Sequence, residues 1–160
     1  MNEAKSLILH NIIRKSIRIM RIYNIQFEGY WLERNKKYVP AKSGVYMVYR
    51  GKYNQGNNSV DLYEIIYIGQ SMNMKERIAN HDHIQVFEAT LNYGETLCYS
   101  CAAVDENDLD IVENALIIAQ KPRLNETKQG NLDYSEKRFQ VSGRCSLIKF
   151  KNFTITSKNS

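Results

Sequence analysis

The chain has 160 residues, 43% of them hydrophobic and 11% aromatic, with a net charge of +5. That composition excludes a disordered chain, and the length gives one domain of ordinary size with a core of its own. The charge is unevenly spread: residues 1–42 carry nine Lys/Arg against three Asp/Glu, residues 43–125 six against eleven, and residues 126–160 seven against three. Basic flanks around an acidic middle suit a polyanion gripped by the flanks and a cation held in the middle, although solvated surface charge reads the same way. Three cysteines, Cys98, Cys101 and Cys145, cannot pair completely, and the start of the chain lacks a signal-peptide pattern. A reducing, cytoplasmic setting and no membrane partner are therefore expected, with an organellar transit peptide as the other reading of the Arg-rich start.

Taken in order, Ile8, Leu9, Ile12, Ile13, Ile19, Met20 and Tyr23 recur at the helical period, which predicts an amphipathic helix from Ala4 to about Tyr23. Arg14, Arg18 and Arg21 fall on its other side, either as a solvated back or as three contacts to successive phosphates. Between Tyr23 and Lys42 the pattern is less periodic and mixes Phe27, Tyr30 and Trp31 with Arg34, Lys36, Lys37 and Lys42. That mixture fits a nucleic-acid surface, and equally a loop pinned to the core by Trp31.

Gly44 to Tyr49 and Ile65 to Gly69 are short β-branched and aromatic runs, and the Gly/Asn-rich piece between them predicts a hairpin with a long connection. Ser71 or Asn73 then caps a helix that carries Arg77 and His81 one turn apart on one face and extends towards Phe87 or Leu91. Leu97 to Val104 is expected to form a third strand. A second helix follows from the Asp105–Asp108 region to Gln120, stopped by Lys121-Pro122. Phe139 to Ile155 reads as strand, with a phase flip at Lys151-Asn152 that a turn or bulge would explain.

Glu113 lies on the apolar stripe of that second helix, between Leu109 and Leu116, where a carboxylate needs an arginine, a lysine or a metal ion, or a route for its head to water. Together with Gly44-Val45-Tyr46, Tyr67-Ile68-Gly69, Arg77, His81 and Asn125, it forms an ordered set that resembles the GIY-YIG nuclease family over about residues 43–125. The first tripeptide departs conservatively, with valine for isoleucine, and the insert between the tripeptides is longer than the family's usual connection. The resemblance implies an α+β fold, a small three-stranded antiparallel sheet flanked by helices. Here it is joined by the N-terminal amphipathic helix and basic arm (1–42) and a basic C-terminal β extension (126–160).

It also implies hydrolysis of phosphodiester bonds in DNA with one magnesium ion, manganese being the alternative. Tyr46, Tyr67, Arg77, His81, Glu113 and Asn125 are the implied catalytic set, and Glu113 is the implied metal ligand. The chemistry is consistent with these side chains: Arg77 pairs with phosphate oxygens, Tyr46 orients or deprotonates water with His81 as proton acceptor, and magnesium needs few carboxylates. Arg14, Arg18, Arg21, Lys36, Lys37, Lys42, Arg123, Lys149 and Lys151 are the candidate DNA contacts. A restriction-type, sequence-specific enzyme is expected, forming a homodimer if both strands are cut. A repair, recombination or homing nuclease and a non-catalytic binding module are the alternatives. Cys98 and Cys101 form a CxxC, but a strand sends them to opposite faces, which argues against zinc.

Overall fold

The structure is a computed structural model that describes residues 20–126 and 136–156. Its strands are β1 (Arg21–Leu32), β2 (Gly44–Asn54), β3 (Ser59–Ser71), β4 (Thr96–Ala103), β5 (Lys137–Gly143) and β6 (Asn152–Ile155). Its helices are α1 (Met74–Ala79), α2 (Ile84–Glu88) and α3 (Leu109–Gln120). The strands form one mixed sheet in the order β3-β2-β4-β1-β5-β6, curled into a half-barrel.

This corrects the expected fold class. β3, β2 and β4 are present and antiparallel, but they are half of a six-stranded sheet with few helices. The basic flanks continue the sheet. β1 pairs antiparallel with β4 through Glu28–Leu32 and parallel with β5 through Arg21–Phe27, and β6 closes on β5. The helix expected up to Tyr23 does not reach that far: from Arg21 the chain is extended, and most of the expected helix lies outside the described residues. The reason is the period-two alternation of buried Tyr23, Ile25 and Phe27 with exposed Ile22, Asn24 and Gln26, the signature of a strand with one covered face. At the other end, Ile148 to Lys151 belongs to the connection between β5 and β6, so the phase flip marks the end of that loop.

β2 is buried continuously from Gly44 to Tyr49 because the sheet is covered on both faces there. On one face Val45, Met47 and Ile68 pack with Val112, Ala115 and Leu116 of α3 and with Phe27 and Phe139. On the other, Tyr46, Val48, Ile66 and Tyr99 pack with Met74 and Ile78 of α1 and with Phe87 of α2. Cys98 joins the first cluster and Cys101 the second, so the CxxC pair does point to opposite faces. The β5–β6 half is fastened by Phe139, whose ring stacks between Tyr23 at 5.0 Å and Phe153 at 5.1 Å. Phe139→Ala is predicted to cost about 3–5 kcal/mol in a denaturant melt, because it empties a fully buried position shared by three strands. A loss below about 1 kcal/mol would show that β5 and β6 fold independently of the rest.

Candidate active site

Tyr46 and Tyr67 come from adjacent strands and share a face. Tyr46 stands opposite Gly69 and Val48 stands opposite Tyr67, which puts both rings on the side covered by α1 and α2. Their centroids are 6.3 Å apart. Gly69 is required by this arrangement: a Cβ there would lie 2.5 Å from the Tyr46 phenol oxygen and 2.8 Å from the Tyr67 ring. Gly44 meets the same kind of limit, since a Cβ would fall 2.7 Å from the terminal methyl of Met74. The glycines of the two tripeptides are thus close-approach positions, one under a ring and one under a helix.

The helix after β3 is shorter than the sequence predicts. Asn73 caps α1 by accepting the Glu76 N–H at 3.3 Å, and Asn80 ends it. His81 therefore sits in the break before α2 instead of one helical turn beyond Arg77. The break fixes the imidazole. Its Nδ1 accepts the backbone N–H of His83 at 3.1 Å, and its Nε2 lies 2.8 Å from the Tyr46 phenol oxygen.

Those two partners assign the tautomer. With Nδ1 occupied as an acceptor, the neutral ring carries its proton on Nε2 and donates it to Tyr46. Protonating His81 would set a second N–H against that of His83. Burial, followed by the positive Arg77 and by His83, lowers its pKa to about 4, with Asp82 opposing. His81 is only 4% exposed, so the neutral form persists through the physiological range. Tyr46 is pushed well above the ordinary tyrosine value by burial first, then by Tyr67, with Glu113 adding and Arg77 opposing. Tyr67 shifts up through burial and Glu113. In this state both phenols are neutral, and His81 is a donor to Tyr46, not an acceptor of its proton.

Arg77 borders the site at 31% side-chain exposure, and its guanidinium donates to Asp82 at 2.7 Å. Asp82 is 73% exposed, and its pKa is lowered by that bond. Glu113 projects from α3 and is 5% exposed. The Gln70 amide reaches its Oε2 at 3.3 Å while also donating to Asp110 Oδ1. Asn125 is placed by a different logic. Its Oδ1 accepts the Ile68 N–H and its Nδ2 donates to the Ile68 carbonyl, both at 2.8 Å, and the neighbouring Leu124 N–H bonds Ile66 O. The amide pairs with the edge of β3 as another strand residue would, which makes Asn125 a positioning residue for the Tyr67-Ile68-Gly69 run.

The structure thus gathers Tyr46, Tyr67, Arg77, His81 and Glu113 and sets Asn125 behind them. Gln70 and Asp82 are additional members that the sequence reading omits. Gln70 directly follows the second tripeptide, and Asp82 directly follows His81, so adjacency to the motif was the available signal.

The candidate DNA contacts separate into groups. Arg14 and Arg18 lie outside the described residues. Arg21 pairs with Asp108 at 2.6 Å, Lys36 with Glu33, and Arg123 with both oxygens of Glu64 at 3.0 and 3.1 Å. Lys37 lies over the Tyr38 ring, while Lys42, Lys149 and Lys151 are exposed. Among the described residues no group of three or more His, Cys, Asp or Glu side chains converges as a metal cage. The acidic pair Glu113 and Asp110 around one amide fits a hard ion that keeps most of its water, such as magnesium, and does not fit zinc.

Two outcomes are predicted. Gly69→Ala should displace the Tyr46 ring and weaken its bond to His81, read as a shift of the His81 side-chain NMR signals. Unchanged signals would show that the ring has room. Because the folded pKa of His81 lies below the unfolded value, the unfolded state binds its proton first, and stability falls as pH drops from about 6.5 to 4. His81→Gln should flatten that part of the stability profile in melts taken across those pH values, and an unaltered slope would refute the assignment.

No protein-family model matches the chain, and neither a curated protein nor a solved structure is similar to it.

Proposed function

We propose that the protein is a metal-dependent DNA endonuclease that hydrolyses phosphodiester bonds, with a restriction-type, sequence-specific role. The observation that carries this reading is the convergence of Tyr46, Tyr67, Arg77, His81 and Glu113 on one end of the sheet. They come from two strands, a helix, an interhelical break and a second helix. Such a set matches what phosphodiester hydrolysis requires: a held phosphate, an aligned water and a cation site at the leaving oxygen.

The roles follow from the geometry. Arg77 takes a phosphate's equatorial oxygens in place of the exposed Asp82 carboxylate, since both acceptors suit its planar fork. Tyr46 accepts the His81 Nε2–H and lies within hydrogen-bond reach of the Arg77 guanidinium, so its oxygen is supplied with donors and its own O–H is the group left to donate to water or a phosphate oxygen. His81 is therefore a positioning residue that fixes the direction of the phenol, which replaces the proton-acceptor role expected from spacing alone. Tyr67 completes the wall against which water and phosphate are held. Glu113, with Asp110 beside it, would hold magnesium or manganese, which when bound supplies charge stabilisation at the leaving oxygen.

One site of this kind cuts one strand, so a double-strand break calls for two copies or two successive events. No helix among the described residues is long and apolar enough to cross a membrane. A structure-specific repair, recombination or homing nuclease is the second reading, and it differs in substrate rather than in chemistry.

Glu113→Ala is predicted to abolish magnesium-dependent cleavage of duplex DNA while leaving the affinity for DNA within about threefold, because the carboxylate is buried on α3 and is not part of the basic surface. Gel-based cleavage and fluorescence-anisotropy binding on the same duplex read the two effects separately. Full cleavage by the variant would remove the metal-site assignment.

A further inference from the structure

We propose that the outward face of β1, β5 and β6 is the surface that reads base edges in the major groove of duplex DNA. The proposal rests on the nuclease reading for its ligand, but its evidence lies elsewhere in the sheet. β1 buries Tyr23, Ile25 and Phe27 and turns Asn24, Gln26 and Glu28 outward. β5 buries Lys137, Phe139 and Val141 and turns Arg138, Gln140 and Ser142 outward. β6 adds exposed Asn152 and Thr154.

Register makes these residues an array. Asn24 stands beside Gln140, and Gln140 beside Asn152, so three carboxamides form a row across three strands about 4.8 Å apart. The next row is Ile22, Arg138 and Thr154. These side-chain types match base edges: carboxamides pair with the N6 and N7 positions of adenine, arginine with guanine, and an exposed isoleucine or threonine methyl with the thymine methyl. Ile22, 47% exposed on an otherwise polar face, is accounted for by that last contact. A row of three strands is about 10 Å across, which compares with a major groove about 12 Å wide.

Two further observations select DNA as the occupant. Residues 136–156 carry five Lys/Arg against one Asp/Glu; of these, Arg138 lies in the array and exposed Arg144 lines a cleft with Gln26 and Glu28, cations that suit the phosphate walls of a groove. The array also lies on the catalytic side of the sheet. Glu28 stands beside Cys101, Cys101 beside Tyr46, and Tyr46 beside Gly69, a single row from β1 to the candidate site. A cleft lined by Asn24, Gln26, Glu28, Lys42, Cys101 and Met74 runs from the array to the start of α1. One duplex lying on this face would therefore reach both.

The test is selection of the purified full chain on a randomised duplex library in chelator, which reads binding without cleavage, followed by the same selection with Asn24→Ala and Gln140→Ala. The wild-type protein should enrich a motif containing A·T pairs, and each variant should lose discrimination at one or more of those pairs by about 5- to 150-fold. Gln140→Glu provides a second disruption of equal side-chain length should the alanine variant fold poorly, with thermal melts confirming the fold. No enriched motif, or variants that select the wild-type motif with undiminished discrimination, would overturn the inference. Enrichment of a motif without cleavage after magnesium is added would instead contradict the nuclease reading alone, and cleavage without any motif would contradict the base-reading surface alone.

Discussion

The Tyr46 ring lies over the bare α-carbon of Gly69, and the candidate site depends on that contact. The two residues face one another in the β2–β3 register, and any Cβ at position 69 would stand within 2.5 Å of the phenol oxygen. β2 is held in place by burial on both faces, between α3 on one side and the α1–α2 pair on the other. A one-residue slip would move Tyr46 to the opposite face, so the same packing that stabilises the sheet also fixes the geometry of the candidate site. Asn125 reinforces it from the edge by taking both backbone groups of Ile68.

Electrostatics then set the resting state of the site. Burial raises both tyrosines, Glu113 raises them further, and the same burial keeps His81 neutral, so hydroxyls and an imidazole are presented uncharged next to one arginine. Arg77 is held by Asp82, an exposed partner in contact with water. Pairs of that kind are weak because solvent competes for both ions, so a phosphate, which offers more acceptor oxygens and more charge, is well suited to take the guanidinium over. A second acidic element besides Asp82 is on α3, where Glu113 and Asp110 share the Gln70 amide.

Much of the candidate site was legible in the sequence, because it is encoded locally. The two tripeptides, the cap at Asn73, the strand after Leu97 and the stop at Lys121-Pro122 each leave a short-range signal, and the structure brings the expected side chains together. The break at His81 left only a faint trace: Ile84 and Phe87 fall six and nine residues after Ile78, out of phase with the face that Met74 and Ile78 set, and the expected helix ran past that shift. The overall fold was less legible, for a different reason. β1 meets β5 in parallel across more than a hundred residues of sequence, and no local pattern reports such a pairing. One clue was available: β4 carries no charged residue from Leu97 to Ala102 and is buried throughout, as a strand paired on both sides and covered on both faces should be, whereas the expected three-stranded sheet would have left it at an edge. The alternation at Tyr23, Ile25 and Phe27 was the other clue, masked by the helical period of the residues before it.

The proposed function requires that this geometry cut DNA with the help of a divalent ion. Supercoiled plasmid incubated with the purified full chain tests it most directly. With magnesium, the predicted result is conversion to relaxed circles and linear molecules that is prevented by chelator. Plasmid left supercoiled in magnesium, or cut equally well in chelator, would contradict it.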